Sequence, residues 1–415
     1  MASHSISAVT FSASIDAMTQ AALAGGTASF SALMFRLPAI YPTEVLSSLD
    51  RLARTGTIAH RVAAEARRQA GERAVSPAEG RSLLPVPHPL DYEWRFTPDA
   101  SRELLDRATE LTSAGGDVLL FGTPGLAVEA LTLPPARRLA FLAEDNSVTQ
   151  RVMALNKTIG SPLNIAFCTG GLPRETADAV VLDPPWYPDF VRPTLAAAAH
   201  ACRVGGTVLI SLPPFGTRPS AEADHHAALA FGRRLGLDVI EHVPLAIAYA
   251  TPFFERNALG AAGIHPPPHW RRGDLVVFRK TRPSARPPAA SGSTRRPWSE
   301  VTIGRMRLFV RQGGQTAVTT GLKPLVKGDV LPSVSRRDPR RRHAQVWTSG
   351  NRIYRTGNPQ LIVDAARSCG HGAGAQHALW GTTSEREARE RVADQLRTLA
   401  ALETREERGV VAGVS

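Results

Sequence analysis

Cysteine is nearly absent from this chain of 415 residues: Cys168, Cys202 and Cys369 are the whole set. None stands in a CxxC pair, so the spacing supports neither a thiolate zinc site nor a disulfide framework, and no metal ligands are read from it. No apolar run reaches the ~18 residues that span a membrane. The N-terminus lacks the charged start and apolar stretch of a secretory leader. Together these absences predict a soluble protein of the reducing cytoplasm. Negative charge is also in short supply: 37 Asp and Glu face 49 Lys and Arg, a formal charge of +12. Most of the cations are arginines, which suit planar, bidentate contacts to phosphates or bases. An acidic polymer fits this balance, although an Arg- and Ala-rich codon bias would give the same overall charge. What is present is 43% apolar residues, enough for a globular chain of two or three domains.

The pattern divides the chain into five parts. Residues 1–84 are mostly helical, apart from an Ala/Ser/Thr-rich start at 1–28 that carries little charge and supports no assignment. Tyr41-Pro42-Thr43-Glu44 reads as a helix start, followed by Val45, Leu46, Leu49, Leu52 and Ala53 at helical spacing and by Gly56 as a stop. This part is either a winged-helix or helix-turn-helix module or a helical cap. Pro85-Val86-Pro87-His88-Pro89 is a stiff linker that opens the second part, 85–280. A helix over 98–114 carries Leu104, Leu105, Ala108 and Leu111 on one face. Strands are predicted at 118–121, 139–143, 163–168, 179–182, 207–212, 237–242 and 275–278. Helices fill the gaps at 146–159, 191–202 and 221–235. Strand and helix alternation predicts a doubly wound, mostly parallel α/β sheet. Residues 281–297 are a Pro/Ser/Arg-rich linker. Residues 298–381 form a basic region, and 382–415 a tail with a surface helix rich in Arg and Glu.

The most telling run is Val180-Val181-Leu182-Asp183-Pro184-Pro185-Trp186-Tyr187. A buried strand ends in a carboxylate, two residues that fix φ and remove N–H donors, and a flat ring. Such a set can hold an amino group and stack a flat ring beside it. The run resembles the Asp-Pro-Pro-aromatic motif of S-adenosylmethionine-dependent amino methyltransferases of the adenine-N6 and cytosine-N4 type. The resemblance covers about residues 117–280 and implies a Rossmann-like seven-stranded sheet. It implies that Asp183 and the Pro184 carbonyl accept hydrogen bonds from the target NH₂, with Pro185 stiffening the loop, Trp186 stacking on the base and Tyr187 beside it. S-adenosyl-L-methionine is the implied cofactor. Phe121-Gly122-Thr123-Pro124-Gly125, after the first strand, takes the place of the glycine-rich cofactor loop, with Thr-Pro departing from the usual FxGxG form. Glu144 or Asp145, at the end of the second strand, can accept the ribose hydroxyl protons. Asp145 could instead cap the next helix. The third strand ends in Cys168-Thr169-Gly170-Gly171, where the family often carries an acid.

Two further loops lie near this motif in sequence. Ser211-Leu212-Pro213-Pro214-Phe215-Gly216 is either a pocket wall or a stiff loop, and Thr251-Pro252-Phe253-Phe254-Glu255 either closes the pocket or is core. Between Arg305 and Arg355 there are twelve Lys or Arg and two acids. Arg336, Arg337, Arg340, Arg341 and Arg342, followed by Trp347 and Arg352, suit phosphate contacts with base stacking. Nucleic acid, DNA first, is therefore the expected partner and adenine N6 the expected acceptor. Two alternatives stand beside this one. An aminopropyltransferase making branched polyamines would use a related domain and motif, and a catalytically degenerate domain would bind nucleic acid only.

Overall fold

The computed structural model describes residues 2–27, 29–72, 82–132, 138–160, 163–167, 174–285, 298–313, 321–370 and 383–409. The run Cys168-Thr169-Gly170-Gly171 and residues 286–297 of the linker lie outside them. The chain divides into two compact units: residues 1–72, 94–251 and 266–292 form one, and residues 73–93, 252–265 and 293–415 the other. The N-terminal helices therefore share a unit with the large sheet, and residues 252–265 leave that sequence neighbourhood for the C-terminal unit.

The first unit opens with α1 (Ala2–Ala24), α2 (Phe30–Arg36), α3 (Pro42–Arg54) and α4 (His60–Gly71). Pro42 stands in the first turn of α3, where its missing N–H has no helical partner to lose. Val45, Leu46, Leu49, Leu52 and Ala53 are all buried, as their helical spacing predicts. Asp16 of α1 accepts from Ser48 Oγ at 2.6 Å and from Arg51 Nη2 at 2.7 Å, tying α1 to α3. No strand occurs among the described residues of 2–72, so no wing accompanies these helices there.

After them come β1 (Arg95–Phe96), α5 (Pro98–Glu110), β2 (Asp117–Phe121), α6 (Pro124–Thr132), β3 (Arg138–Ala143), α7 (Ser147–Ile159) and β4 (Asn164–Phe167). Then follow β5 (Ala177–Leu182), α8 (Pro188–Ala201), β6 (Cys202–Leu212), α9 (Ala221–Arg234), β7 (Leu237–Ala250) and β8 (Arg272–Lys280). The sheet has eight strands in the order β1-β7-β8-β6-β5-β2-β3-β4. Strands β2 to β6 pair in parallel, while β8 runs antiparallel between β6 and β7. β5 is buried along its whole length, as a central strand covered on both faces must be. Val180, Leu182, Val208, Ile210, Val276 and Phe278 form the core with Leu195 and Ala198 of α8. This is the Rossmann-like, mostly parallel α/β sheet expected from the sequence, extended by the short edge strand β1.

The second unit was not foreseen as a fold. It contains α10 (Phe253–Ala261), then β9 (Trp298–Ile303), β10 (Met306–Arg311), β11 (Lys323–Pro324), β12 (Val346–Thr348) and β13 (Ile353–Arg355), followed by α11 (Pro359–Gly370) and α12 (Thr383–Glu407). The strands form an antiparallel sheet in the order β11-β13-β12-β10-β9. Leu308, Val310 and Val346 pack with Ile362 and Val363 of α11 and with Val392, Leu396 and Leu399 of α12. α12 is therefore the amphipathic surface helix expected there, its Ala, Val and Leu face packed on the sheet and α11 and its charged face exposed.

Candidate functional site

The strand register builds the site. Phe121, at the end of β2, pairs with Leu182, at the end of β5, and with Leu142 in β3. Leu182 pairs in turn with Ile210 of β6. Gly122, Asp183 and Ser211 thus each stand one residue beyond a matched row at the carboxyl edge. Successive strands step one way from β2 to β4 and the other way from β5 to β6, so the strand order reverses between β2 and β5. Open α/β sheets bind ligands at that crevice.

On the β2 side, Gly122 has φ +65°, a conformation that glycine adopts without the cost of a Cβ. Its N–H donates to Leu142 O at 2.9 Å. Thr123 is buried and its Oγ1 has no hydrogen-bond partner among the described residues. Gly125 lies in the first turn of α6, where an added Cβ would meet nothing closer than Arg95 at 3.7 Å. Glu144 and Asp145, just past β3, are exposed. Asn146, not Asp145, caps α7, accepting from Thr149 N at 2.9 Å. Asp145 instead accepts from Gln150 Nε2 at 2.6 Å.

On the β5 side, Tyr249 of β7 donates its hydroxyl proton to Asp183 Oδ1 at 2.6 Å, and its oxygen is also hydrogen-bonded to Ser211 Oγ at 2.6 Å. The phenol is buried, and burial together with the neighbouring Asp183 charge pushes its pKa well above the ordinary tyrosine value. It therefore stays a proton donor and fixes the carboxylate. Tyr187 caps α8 through its carbonyl, which accepts from Phe190 N and Val191 N, both at 2.9 Å. The Trp186 carbonyl accepts from Arg218 Nη2, and Arg218 pairs with Asp224 at 2.8 Å while lying 5.4 Å from the Tyr187 ring centre. Trp186 meets Tyr249 edge to face at 5.5 Å. Gly273 of β8 passes so close that a Cβ would collide with Ser211 Oγ and stand 2.9 Å from Trp186 Cζ2. The Arg271 guanidinium lies 3.6 Å from the Trp94 ring centre and 5.8 Å from that of Trp186. The result is a carboxylate beside aromatic rings and two guanidinium groups.

Sequence reading missed Tyr249, Arg218, Arg271 and Gly273. β7 was expected to stop at residue 242, but it continues through two register shifts to Ala250. Pro244 and Leu245, the latter at φ +56°, hide the continuation by breaking the alternation. Phe253 and Phe254 are buried in α10, in agreement with the core alternative.

The basic cluster divides in two. Arg336, Arg337, Arg340 and Arg342 are exposed. Arg340 is paired with Asp338 at 2.7 Å. Arg341 donates to Val334 O at 2.9 Å and Pro89 O at 3.2 Å, and stacks 4.7 Å from the Trp347 ring centre. Trp347 is only 1% exposed and donates from Nε1 to Asn351 Oδ1 at 3.1 Å. Arg352 is buried and held by Glu406 at 2.8 Å and Asp329 at 3.0 Å. Trp347 and Arg352 are interior residues, which corrects their assignment to a nucleic-acid surface. The Trp indole satisfies its one donor internally, and the Arg charge is neutralised by acids that the linear sequence places elsewhere.

No protein-family model and no curated protein sequence matches this chain. Among solved structures it is similar to the C9 mutein of the branched-chain polyamine synthase from Thermus thermophilus, in complex with N4-aminopropylspermidine and 5′-methylthioadenosine. That match has 16% identity, 66% of this chain, 90% of that one and a TM-score of 0.49. It is also similar to the N-methyltransferase NodS from Bradyrhizobium japonicum WM9, at 15% identity, 44% of this chain, 98% of that one and a TM-score of 0.31. TrmN from Thermus thermophilus matches at 17% identity, 44% of this chain, 49% of that one and a TM-score of 0.30. Likeness this distant bears on fold alone, and the fold stands on the strand order itself.

Proposed function

We propose that this protein is an S-adenosyl-L-methionine-dependent methyltransferase acting on an exocyclic amino group of nucleic acid, with adenine N6 in DNA as the acceptor. One observation carries the reading: a carboxylate oriented by Tyr249 stands one residue beyond β5, in register with the glycine turn that follows β2. The residues at the β2 and β3 ends fit the cofactor. Gly122 and Gly125 leave room against the backbone, Thr123 Oγ1 is a buried hydroxyl lacking a protein partner among the described residues, and Glu144 and Asp145 are exposed acids able to accept from ribose hydroxyls. When bound, the cofactor supplies an electrophilic methyl group on a sulfonium sulfur.

The chain's own groups do the rest by positioning and electrostatics. Asp183 and the Pro184 carbonyl accept from the target NH₂ and aim the nitrogen lone pair. Trp186 stacks on the base, which must leave a duplex to reach it. With the cofactor bound, Asp183 would hold the nitrogen toward that electrophilic methyl group and pass the amine's surplus proton on to water. Arg218 and Arg271 next to Trp186 favour a flat, anionic acceptor over a polycation.

The test is calorimetric titration of S-adenosylmethionine, decarboxylated S-adenosylmethionine and S-adenosylhomocysteine, followed by labelled-methyl transfer to DNA and RNA. Binding of the first and third with label entering DNA, lost by at least about 100-fold in Asp183→Ala, is the expected result. Preference for the decarboxylated form would move the assignment to aminopropyl transfer. Binding of none would leave a degenerate nucleic-acid-binding domain.

A further inference from the structure

Beside β8, three residues distant in sequence meet. His225 lies on α9, His242 on β7 and Asp274 on β8. One ring nitrogen of each histidine and one Asp274 oxygen lie within 4.8 Å of one another. His242 Nε2 is 3.2 Å and His225 Nδ1 3.7 Å from the same oxygen, Asp274 Oδ2. The two imidazole centres are 5.1 Å apart. The other Asp274 oxygen is held by Leu245 N at 2.8 Å, which fixes the carboxylate. His225 is 8% exposed; its Nδ1 stands 3.1 Å from Pro213 O, while its Nε2 is buried with no hydrogen-bond partner among the described residues. An orphaned ring nitrogen facing no protein acceptor or donor is costly in an interior. Pro213 O lies on the same nitrogen, Nδ1, that stands 3.7 Å from Asp274 Oδ2, so a metal bound there takes the place of that contact.

We propose that His225, His242 and Asp274 bind a first-row divalent transition metal ion, of which zinc is the representative. Two imidazoles and a carboxylate suit that class, whereas calcium or magnesium would demand oxygen ligands. Ligands about 2.0–2.2 Å from a metal stand roughly 3–4 Å apart, so the cluster needs only a small contraction, which the exposed His242 supplies by rotating. Three protein ligands leave a fourth position for water. The ion would fasten α9, the bulged stretch of β7 and β8 together just ahead of Tyr249, and this role is independent of which group the transfer site moves.

The full chain, stripped with a chelator, is titrated with Zn²⁺ by calorimetry and with Co²⁺ by visible absorption. One equivalent should bind, cobalt should show the intense ligand-field bands of a four- or five-coordinate nitrogen and oxygen site, and zinc should raise the melting temperature. His242→Ala, at an exposed position, should melt like the wild type without metal, yet lose at least about 100-fold in zinc affinity, beyond the roughly 10–100-fold that loss of a ligand's supporting partner costs. His225→Gln should lose it as well. Absence of saturable binding in the wild type, or wild-type zinc affinity retained in both variants, would overturn the site.

Discussion

At the scale of single residues, the transfer site depends on what touches Asp183. Tyr249 contributes one hydrogen bond to a charged acceptor, an interaction worth about 1.5–3 kcal/mol. Tyr249→Phe should therefore lower labelled-methyl turnover roughly 10–100-fold with little change in the affinity for S-adenosylhomocysteine, because the phenol orients the carboxylate and lies on the β5 side of the crevice. An equal loss of cofactor affinity would mean that Tyr249 supports the pocket as a whole. Gly273 matters for the opposite reason, through the side chain it lacks. Gly273→Ala drives a methyl group into Ser211 and Trp186, and overpacking of this kind costs about 1–3 kcal/mol. Thermal denaturation should show that loss, and a Trp fluorescence shift should report displacement of Trp186.

At the scale of elements, α12 shows how a charged surface helix carries a buried polar group on its inner face. Glu403 on its buried face accepts from Thr348 Oγ1, from Ser349 Oγ at 3.0 Å and from Gly350 N at 3.0 Å. Burial outweighs these donors and raises its pKa to about 7 from 4.5. Because the folded-state value lies above the unfolded one, the folded state holds the extra proton in this window. The stability from this group is full below about pH 4.5 and is lost as pH rises through about 7, a change on the order of a few kcal/mol. Glu403→Gln carries no such proton, so its melting temperature should fall less than that of the wild type between about pH 5 and pH 8. Parallel pH profiles would remove Glu403 as the cause. β7 makes a related point: its alternation is readable as far as His242, and the irregular residues beyond carry the strand on to Tyr249.

At the scale of the whole molecule, charge is divided between surface and interior. Arg307 and Arg352 are buried and neutralised, Arg307 by Asp91 and by Glu300 at 2.6 Å. Such cations contribute to folding and are closed to phosphate. Arg336, Arg337, Arg340 and Arg342, in contrast, are exposed. Changing these four to Ala should weaken DNA binding and reduce the slope of log affinity against log salt by about one for each phosphate no longer neutralised. Arg352→Ala should lower thermal stability and leave that slope alone. A salt slope unchanged in the fourfold variant would show that nucleic acid, if bound, is held elsewhere. No helix among the described residues is long and apolar enough to cross a membrane.

The sequence by itself determined the alternating α/β pattern, five of the seven main strands to within three residues at either end, and the placing of Asp183 after a buried strand. Those features are local: periodicity, a proline pair and a glycine turn are written in consecutive residues. The glycine turn and Asp183 could be paired because parallel strands in this sheet end on the same edge. Only the tertiary structure decided the rest. Tyr249 meets Asp183, and His225, His242 and Asp274 meet one another, across 66 residues in the first case and across three separate elements in the second. Arg352 went inside because Asp329 and Glu406, distant in the chain, neutralise it there. Long-range partners such as these leave no period or spacing in the linear sequence, since burial is set by what packs on a residue and not by its neighbours in the chain.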